Sequence, residues 1–379
     1  MGAVRDLVEL GVDVNDVDRG GYTPMNRAIA DNNVEMIRTL AEVGADIIPT
    51  KKCRVYSSPL LYDAAGMGCI AALRTLVELG GNVDAVDTDG YSPLSLAAQN
   101  GQVGAIRALA DLGADLNFPG RKGATPMLLA AKKGEMGAIR ALAALGADMN
   151  IADVNGCTPV SIATQRREVG TIRALAELGA DINTPMKEGQ TPLFIAAQTG
   201  CVDAITSLVE HGADVNIAMT DGRTPVFIAA QMGEVGALLS LAEHGADVNT
   251  PDEDGWPPVF IAAQEGDVAA IVALAVHGAD VNIPINDGRT PVYIAAQEGK
   301  VGAVRALAEH GANVNAGLSD GRTPMFIAAQ KGFLDIITAL VQCGANVHTP
   351  KNDGRTPLFI AAQEGNVGAI TTLAEYGAN

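Results

Sequence analysis

Apolar and polar positions follow one another along this chain in a pattern that returns about every 33 residues. Each period holds two short stretches whose apolar residues are three or four positions apart, which is the spacing of one face of a helix. In one such stretch the apolar residues are Val301, Val304 and Leu307. The pattern predicts pairs of short amphipathic helices joined by polar turns that contain glycine.

One proline, preceded in all but one period by threonine or serine, marks the same point of each period. It recurs at Pro24, Pro59, Pro93, Pro126, Pro159, Pro192, Pro225, Pro258, Pro291, Pro324 and Pro357. The spacing is 35, then 34, and then 33 residues eight times in succession. Because an insertion would shift one unit against the next, so regular a period predicts units that all stack in the same way.

The residues around this proline predict where the helices of a unit begin and end. Thr290 is a good N-cap, and Pro291 stands where a helix tolerates a missing N–H group. Gly299 can adopt the left-handed conformation that ends the first helix, and Gly311 can end the second in the same way. We expect residues 312–315 to be extended, so that one unit is a turn, two helices and an extended return.

Two motifs in each unit resemble the ankyrin repeat. They read Thr191-Pro192-Leu193-Phe194-Ile195-Ala196-Ala197 and Gly212-Ala213-Asp214-Val215-Asn216, and the resemblance recurs eleven times over the whole chain. It implies an all-α repeat solenoid, a curved stack of antiparallel helix pairs with hairpin loops projecting to one side. It also implies a concave face, formed by the hairpin tips and the first helices, that binds partner proteins.

The predicted domain organisation is a single ankyrin-repeat solenoid over residues 1–379. It begins with a partial repeat at 1–17 and ends with an incomplete repeat at 351–379. The repeats between them are expected at 18–52, 53–86, 87–119, 120–152, 153–185, 186–218, 219–251, 252–284, 285–317 and 318–350. Because no polar end cap is recognisable, we expect the sequence to be part of a longer chain or of a larger assembly that covers its ends.

The sequence departs from the family pattern at three kinds of position, and each departure predicts a local structural feature. The family's histidine after Thr-Pro-Leu is replaced by an aromatic residue that we expect in the core, at Phe194, Phe227, Phe260, Tyr293, Phe326 and Phe359. Arg167 stands where other repeats have the helix-ending glycine, which predicts a less regular junction. The segment Lys51–Arg54 is an insertion at a hairpin tip, and it is either a special contact or only a longer loop.

Composition and charge narrow the classes of partner. Apolar residues make up 48% of the chain but aromatic residues only 4%, which suits thin, closely packed layers. The net charge is −18, whereas a nucleic-acid-binding protein needs a basic surface, so we expect no nucleic-acid partner. The longest apolar run, near Val268–Val276, is far shorter than the about 20 residues that span a bilayer, so no membrane insertion is expected.

The reactive residue types do not form a recognisable catalytic or metal-binding motif. The five cysteines form no C-x-x-C pair, which favours a reducing, intracellular and cytoplasmic location. No nucleophile motif, zinc motif or phosphate-binding loop is present, so we expect no cofactor, no metal, no catalytic residues and no enzymatic activity.

Two periodic series of charged residues are expected to be structural. His211, His244, His277 and His310 lie 33 positions apart, too far in a stack to share a metal ion, and each is expected to cap a helix C-terminus. Arginines on the second helices each precede an acidic residue by four positions, which predicts exposed pairs within one helix. These arginines are Arg5, Arg38, Arg74, Arg107, Arg173 and Arg305.

The residue just before the Thr-Pro step lies at the hairpin tip, where the resemblance places protein contacts. The candidate protein-binding residues are these tip residues together with polar residues from the ends of the first helices. They are Tyr91, Arg223, Gln231, Trp256, Gln264, Glu265, Arg289, Gln297, Arg322, Gln330 and Arg355. Arginine and tryptophan dominate interface hot spots, and we expect Trp256 to be an exposed anchor. The alternative is that each arginine only pairs with the aspartate two residues earlier.

The sequence thus predicts a non-enzymatic scaffold that binds partner proteins on the concave face of an ankyrin solenoid. Two other functions remain open. One is a structural linker or assembly subunit of a large complex, and the other is the targeting domain of a longer enzyme or channel.

Overall fold

The computed structural model describes residues 2–47 and 59–379, and over these residues the chain is helical. It contains 23 α-helices, and no strand occurs in the described part of the chain. The predicted extended return is wrong in detail, because residues 312–313 are irregular and residues 314–315 form a turn. The insertion at Lys51–Arg54 lies outside the described residues.

The backbone forms two compact units, which we call unit 1 (residues 1–187) and unit 2 (residues 188–379). Their boundary is two residues beyond the predicted junction between repeats 153–185 and 186–218. A short 3-10 turn, Lys187–Gly189, lies at this boundary.

Unit 1 contains eleven α-helices in its described residues, together with a 3-10 turn at Arg121–Gly123. The helices that follow the hairpin tips, called first helices, are α2 (Pro24–Ala30), α4 (Leu60–Met67), α6 (Pro93–Gln99), α8 (Pro126–Lys133) and α10 (Pro159–Gln165). The second helices are α1 (Gly2–Glu9), α3 (Val34–Glu42), α5 (Ile70–Glu78), α7 (Val103–Asp111), α9 (Met136–Ala144) and α11 (Val169–Glu177).

Unit 2 contains six helix pairs. Its first helices are α12 (Pro192–Gln198), α14 (Pro225–Met232), α16 (Pro258–Glu265), α18 (Pro291–Gln297), α20 (Pro324–Lys331) and α22 (Pro357–Gln363). Its second helices are α13 (Val202–Glu210), α15 (Val235–Glu243), α17 (Val268–Val276), α19 (Val301–Glu309), α21 (Leu334–Gln342) and α23 (Val367–Glu375). In each unit every helix pair packs on the next pair of the same unit.

The Thr-Pro step begins the first helices as predicted. In nine of them the threonine or serine is the N-cap and its hydroxyl oxygen accepts the N–H of the residue three positions later, as Thr224 does from Phe227. Two helices lack this bond, because Pro59 caps α4 and Pro257 caps α16, and proline has no hydroxyl group. The extra residue that the sequence places after Pro59 moves the start of α4 to Leu60.

The first helices end at a residue with a left-handed backbone. This residue is usually glycine, for example Gly134 with φ +73°. Arg167 takes the same conformation with φ +58°, so the prediction of an irregular junction is wrong. The conformation that glycine adopts freely is unfavourable for a side-chain-bearing residue, and the arginine therefore holds the regular geometry under strain.

The core of unit 2 is built around an aromatic column on the first helices. Phe194, Phe227, Phe260, Tyr293 and Phe326 are all at most 3% exposed, as the sequence predicts. Phe359, in the last helix pair of the described residues, is the exception at 53% exposed. In α12, α14, α16, α18 and α20 the Ala-Ala pair that follows the aromatic residue is buried and allows neighbouring first helices to approach closely.

Ion pairs connect several second helices to the second helix of the following repeat, and these pairs do not form between residues of the same helix. Arg5 pairs with Glu42, Arg38 with Glu78, and Arg74 with Asp111, each time on the second helix of the following repeat. For these three arginines the prediction of pairs four positions apart is therefore wrong. A stacked neighbour presents a carboxylate closer to the guanidinium than the same helix does, and no single-repeat pattern reveals this.

Candidate protein-interaction site

The candidate site in unit 2 consists of two rows of side chains that repeat every 33 residues. We call Arg223, Trp256, Arg289, Arg322 and Arg355 the tip row. We call Gln231, Gln264, Gln297, Gln330 and Gln363, near the ends of the first helices, the glutamine row. Most members of both rows are half-buried.

Each arginine of the tip row is held by the aspartate two residues earlier. Arg223 donates its Nε–H to Asp221 Oδ2 at 2.8 Å, and Arg289 and Arg322 make the same bond to Asp287 and Asp320 at 2.7 and 2.8 Å. The side-chain hydrogen bond from Arg223 lowers the pKa of Asp221. The local pairing that the sequence left as an alternative is confirmed, and it fixes where each guanidinium lies.

Two arginines also reach the glutamine row of their own repeat. Arg223 Nη1 lies 3.5 Å from Gln231 Oε1, and Arg355 Nη1 lies 3.5 Å from Gln363 Oε1. The guanidinium thus bridges an aspartate and a glutamine that are ten residues apart in the sequence. Gln297 is arranged differently, since its amide donates to Glu298 Oε1 at 3.0 Å.

Trp256 takes the arginine's place in the second repeat of the row. Its indole ring is tilted by 50° against Phe260, with 5.4 Å between the ring centroids. Since Phe260 is fully buried, Trp256 rests on the core with one side and is half-exposed. It is neither the free surface anchor that the sequence predicts nor a core residue.

Gln264, in the repeat that carries Trp256, has an unpaired acceptor that sequence reasoning missed. Its Oε1 atom is buried and has no hydrogen-bond partner among the described residues. A buried carbonyl oxygen without a donor is unfavourable by about 1–3 kcal/mol. The signal was present in the sequence, because Trp256 is the one tip residue of unit 2 from Arg223 to Arg355 that cannot donate as arginine does.

Glu265 and Tyr91, the remaining predicted site residues, have different surroundings. Glu265 is exposed and, with Gln231 and Asp267, lines a hollow of about 290 Å³ between α14 and α16. Tyr91 belongs to unit 1, where its ring packs against Ala124, Leu128 and Leu129. Tyr91 therefore has a packing role and is not brought together with the rows of unit 2.

The four periodic histidines of unit 2 cap their helices as predicted. The Nδ1 atoms of His211 and His244 lie 2.7 and 2.6 Å from the carbonyl oxygens of Ser207 and Ser240. His277 and His310 make the same contact with residues four positions earlier, at 2.8 Å each. A carbonyl oxygen can only accept, so Nδ1 carries the proton. No cluster of three or more potential metal ligands occurs in the described segments.

These repeated helix pairs, with their Thr-Pro caps and Ala-Ala contacts, are those of ankyrin repeats, and the chain belongs to the ankyrin-repeat family. Models of that family match residues 117–186, 179–252, 237–317 and 315–379, and a second model of many-copy ankyrin repeats matches residues 1–41 and 61–110. The matches run from the first residue to the last with two internal gaps, at residues 42–60 and 111–116.

Two relatives share part of this array. The chain is 36% identical over 98 residues to the E3 ubiquitin-protein ligase Ufd4 of Drosophila melanogaster, which is 26% of this chain and 3% of that protein. It is 32% identical over 97 residues to the B-cell lymphoma 3 protein homolog of Mus musculus, 25% of this chain and 21% of that protein. The chain thus spans less than a quarter of the length of either relative.

None of the helices within residues 2–47 and 59–379 has the length and apolar character needed to cross a bilayer.

Proposed function

We propose that this chain is a non-enzymatic protein-interaction scaffold and that its partner binds the tip row and the glutamine row of unit 2. This is the face that the family resemblance identifies as concave. The observation that carries the proposal is Trp256, half-exposed on a core phenylalanine, beside the buried acceptor Gln264 Oε1.

The energetics of this repeat favour a binding role for Trp256. Two stabilising contacts are missing here, namely the threonine N-cap that both neighbouring repeats have and a donor to Gln264 such as Arg223 provides to Gln231 in the preceding repeat. A lost N-cap destabilises a helix by about 1 kcal/mol. This repeat lacks two stabilising contacts and carries a tryptophan, a residue type that is enriched in hot spots, and we infer that the tryptophan is kept for a contact outside the chain.

Charge indicates what kind of partner surface fits. Residues 188–379 contain 8 basic and 22 acidic residues, a net charge of −14. The arginines of the tip row are already paired with aspartates, which leaves the surplus carboxylates to set the sign of the field. A partner with a basic surface and hydrogen-bond donors is therefore favoured over an acidic one.

Substitution of Trp256 tests the proposal, using the partner captured by cross-linking and mass spectrometry from native extract. Trp256→Ala should weaken binding about 30-fold, or about 2 kcal/mol, because it removes the anchor. Trp256→Arg is the matched variant, since it restores the residue of the neighbouring repeats and a donor for Gln264. It should bind as poorly as the alanine variant while melting at or above the wild-type temperature.

Arg305→Ala, on a second helix away from both rows, is the control that should bind normally. A large fall in melting temperature for Trp256→Ala, with affinity unchanged, would show that Trp256 is structural and would refute the proposal.

A second candidate function, the targeting segment of a longer enzyme, is favoured by the similarity to a part of a protein named as a ubiquitin ligase. An antibody against residues 188–379 would test it in native extract. Detection of a polypeptide much larger than 379 residues, with ligase activity in the precipitate, would support this candidate.

A further inference from the structure

A hollow of about 390 Å³ opens in unit 1 on the first-helix side of its first three helix pairs. Its wall includes Arg27 of α2, Asp63, Gly66 and Met67 of α4, and Leu96 of α6. It lies in a different unit from the tip row of unit 2 and does not depend on the function proposed above.

Two departures from the repeat pattern create this hollow. At the positions that carry the glutamine row in unit 2, α2 and α4 have the small residues Ala30 and Gly66. A Cβ atom on Gly66 would lie only 2.5 Å from Leu96 Cδ2, so the missing side chain lets Leu96 pack directly against the backbone of α4 and form one wall of the hollow. At the position of Ile195, which is leucine or isoleucine in every later first helix, α2 and α4 have Arg27 and Asp63.

Asp63 is the group that the hollow leaves without a partner. It is half-buried, and none of the described residues donates a hydrogen bond or an ion pair to its carboxyl group. Burial raises the pKa of Asp63 from 3.8 to about 6. The carboxylate is thus partly removed from water and has received no donor in exchange.

Arg27, which occupies the same repeat position in α2 as Asp63 in α4, is already paired with another residue. Arg27 donates from Nη2 to Asp18 Oδ2 at 2.6 Å, and its guanidinium carbon lies 4.7 Å from the centre of the Tyr22 ring. Arg27 and Tyr22 are the titratable groups that α2 and its tip bring to the hollow, and α6 brings none. Among the described residues of unit 1, the charge of Asp63 therefore stays uncompensated.

We propose that this hollow binds the side chain of an arginine or lysine from a basic segment of a partner protein. The cationic head pairs with Asp63, and the aliphatic stem lies against Met67 and Leu96. Asn100 donates its Nδ2 hydrogen to the carbonyl of Gly66 at 3.1 Å, which leaves its Oδ1 as a second acceptor at the rim. The chain's negative net charge attracts such a segment.

The test uses N-acetyl-arginine methylamide as the probe and the carbon-13 NMR signal of the Asp63 carboxyl group as the readout. Binding of a cation should lower the pKa of Asp63 and shift its signal at pH 6 in a saturable way. N-acetyl-citrulline methylamide has the same shape without the charge and should leave the signal unchanged. Affinity for the arginine probe should fall about tenfold from pH 7.5 to pH 5, because about a tenth of a carboxyl group with a pKa of 6 is ionised at pH 5.

Two variants separate charge from shape. Asp63→Asn keeps the hollow and should weaken the arginine probe at least tenfold at pH 7.5 and abolish the pH dependence. Gly66→Gln restores the residue of later repeats; its side chain must push Leu96 aside, fills the hollow and should block the probe, with circular dichroism confirming that the helices remain.

Three results overturn the proposal: no shift of the Asp63 signal up to 100 mM probe, an equal shift with the citrulline derivative, or unchanged affinity in Asp63→Asn. Preferential binding of N-acetyl-glutamate methylamide also overturns it, since the hollow would then be a site for acidic groups at Arg27.

Discussion

Units 1 and 2 have the same repeat fold but not the same regularity. Unit 2 has an aromatic residue in every first helix and a net charge of −14, whereas the equivalent positions in unit 1 are Asn26, Tyr62, Ser95, Leu128 and Ser161. Unit 1 contains 18 basic and 22 acidic residues, a net charge of only −4. The comparison shows that the backbone geometry of the repeat tolerates very different core and surface residues.

The two units also differ in the residues at the C-terminal ends of their helices. Four second helices of unit 2 are capped by a histidine whose imidazole donates to the carbonyl oxygen four positions earlier, whereas α5, α7, α9 and α11 of unit 1 are capped by leucine. In unit 1 the left-handed positions of Asn32, Lys122 and Arg167 are occupied by residues other than glycine. Among the described residues, unit 1 therefore has fewer side-chain hydrogen bonds at the ends of its second helices, and it has three such left-handed residues against one, Glu188, in unit 2, which predicts that it is the less stable unit.

The largest expected effect concerns the aromatic column. Phe227→Ala should destabilise the protein by about 3–5 kcal/mol, because it opens a cavity in a fully packed core. Phe359→Ala is the matched control at the same repeat position, and its half-exposed ring should contribute less than about 1 kcal/mol. Chemical denaturation measures both. Equal losses of unfolding free energy in the two variants would show that the contribution of an aromatic residue does not depend on its burial.

Amide hydrogen exchange tests the difference between the units directly. We expect the amides of α2 and α4 to exchange at least about 100-fold faster than those of α14 to α20, a difference of about 2.7 kcal/mol in opening free energy. Mass spectrometry of peptides from the exchanged protein gives both values in one experiment. Equal protection of the two sets would remove the proposed gradient of stability.

Asp63 should make unit 1 sensitive to pH in a defined direction. Its pKa is raised from 3.8 to about 6, so the folded state binds the proton more tightly than the unfolded chain. The stabilisation is complete below pH 4 and is lost as pH rises through 6. Asp63→Asn should therefore stabilise the protein by about 1–2 kcal/mol at pH 7.5, with allowance for solvent screening, and by almost nothing at pH 4. A gain that does not vary with pH would contradict this account.

The smallest expected effect concerns the strained helix end at Arg167. Arg167→Gly should stabilise unit 1 by about 1 kcal/mol, because glycine adopts the left-handed backbone without a steric penalty. The reverse exchange at the matching position of the preceding repeat, Gly134→Arg, should destabilise by a similar amount. Thermal unfolding of both variants provides the measurement, and changes of the same sign would mean that backbone conformation is not the cause.

The period of the sequence was enough to predict the repeat fold, because helix caps and apolar spacing act within one repeat. The Thr-Pro step, the glycine turns and the histidine caps all depend on atoms a few residues apart, and they lie where the pattern predicts. The burial of the phenylalanines was predicted equally well, since each repeat covers the next in the same way. Phe359 departs from this prediction because burial also depends on a following repeat.

Only the tertiary structure decided which groups of different repeats meet. Arg38 pairs with Glu78 of the following repeat, and the hollow at Asp63 depends on the small residue Gly66 and on Leu96 of the next helix. Gln264 Oε1 lies buried without a donor in the repeat where Trp256 stands in place of arginine. Each of these features depends on distances across the stack, and such distances are fixed by packing between helices rather than by the spacing of residues along the chain.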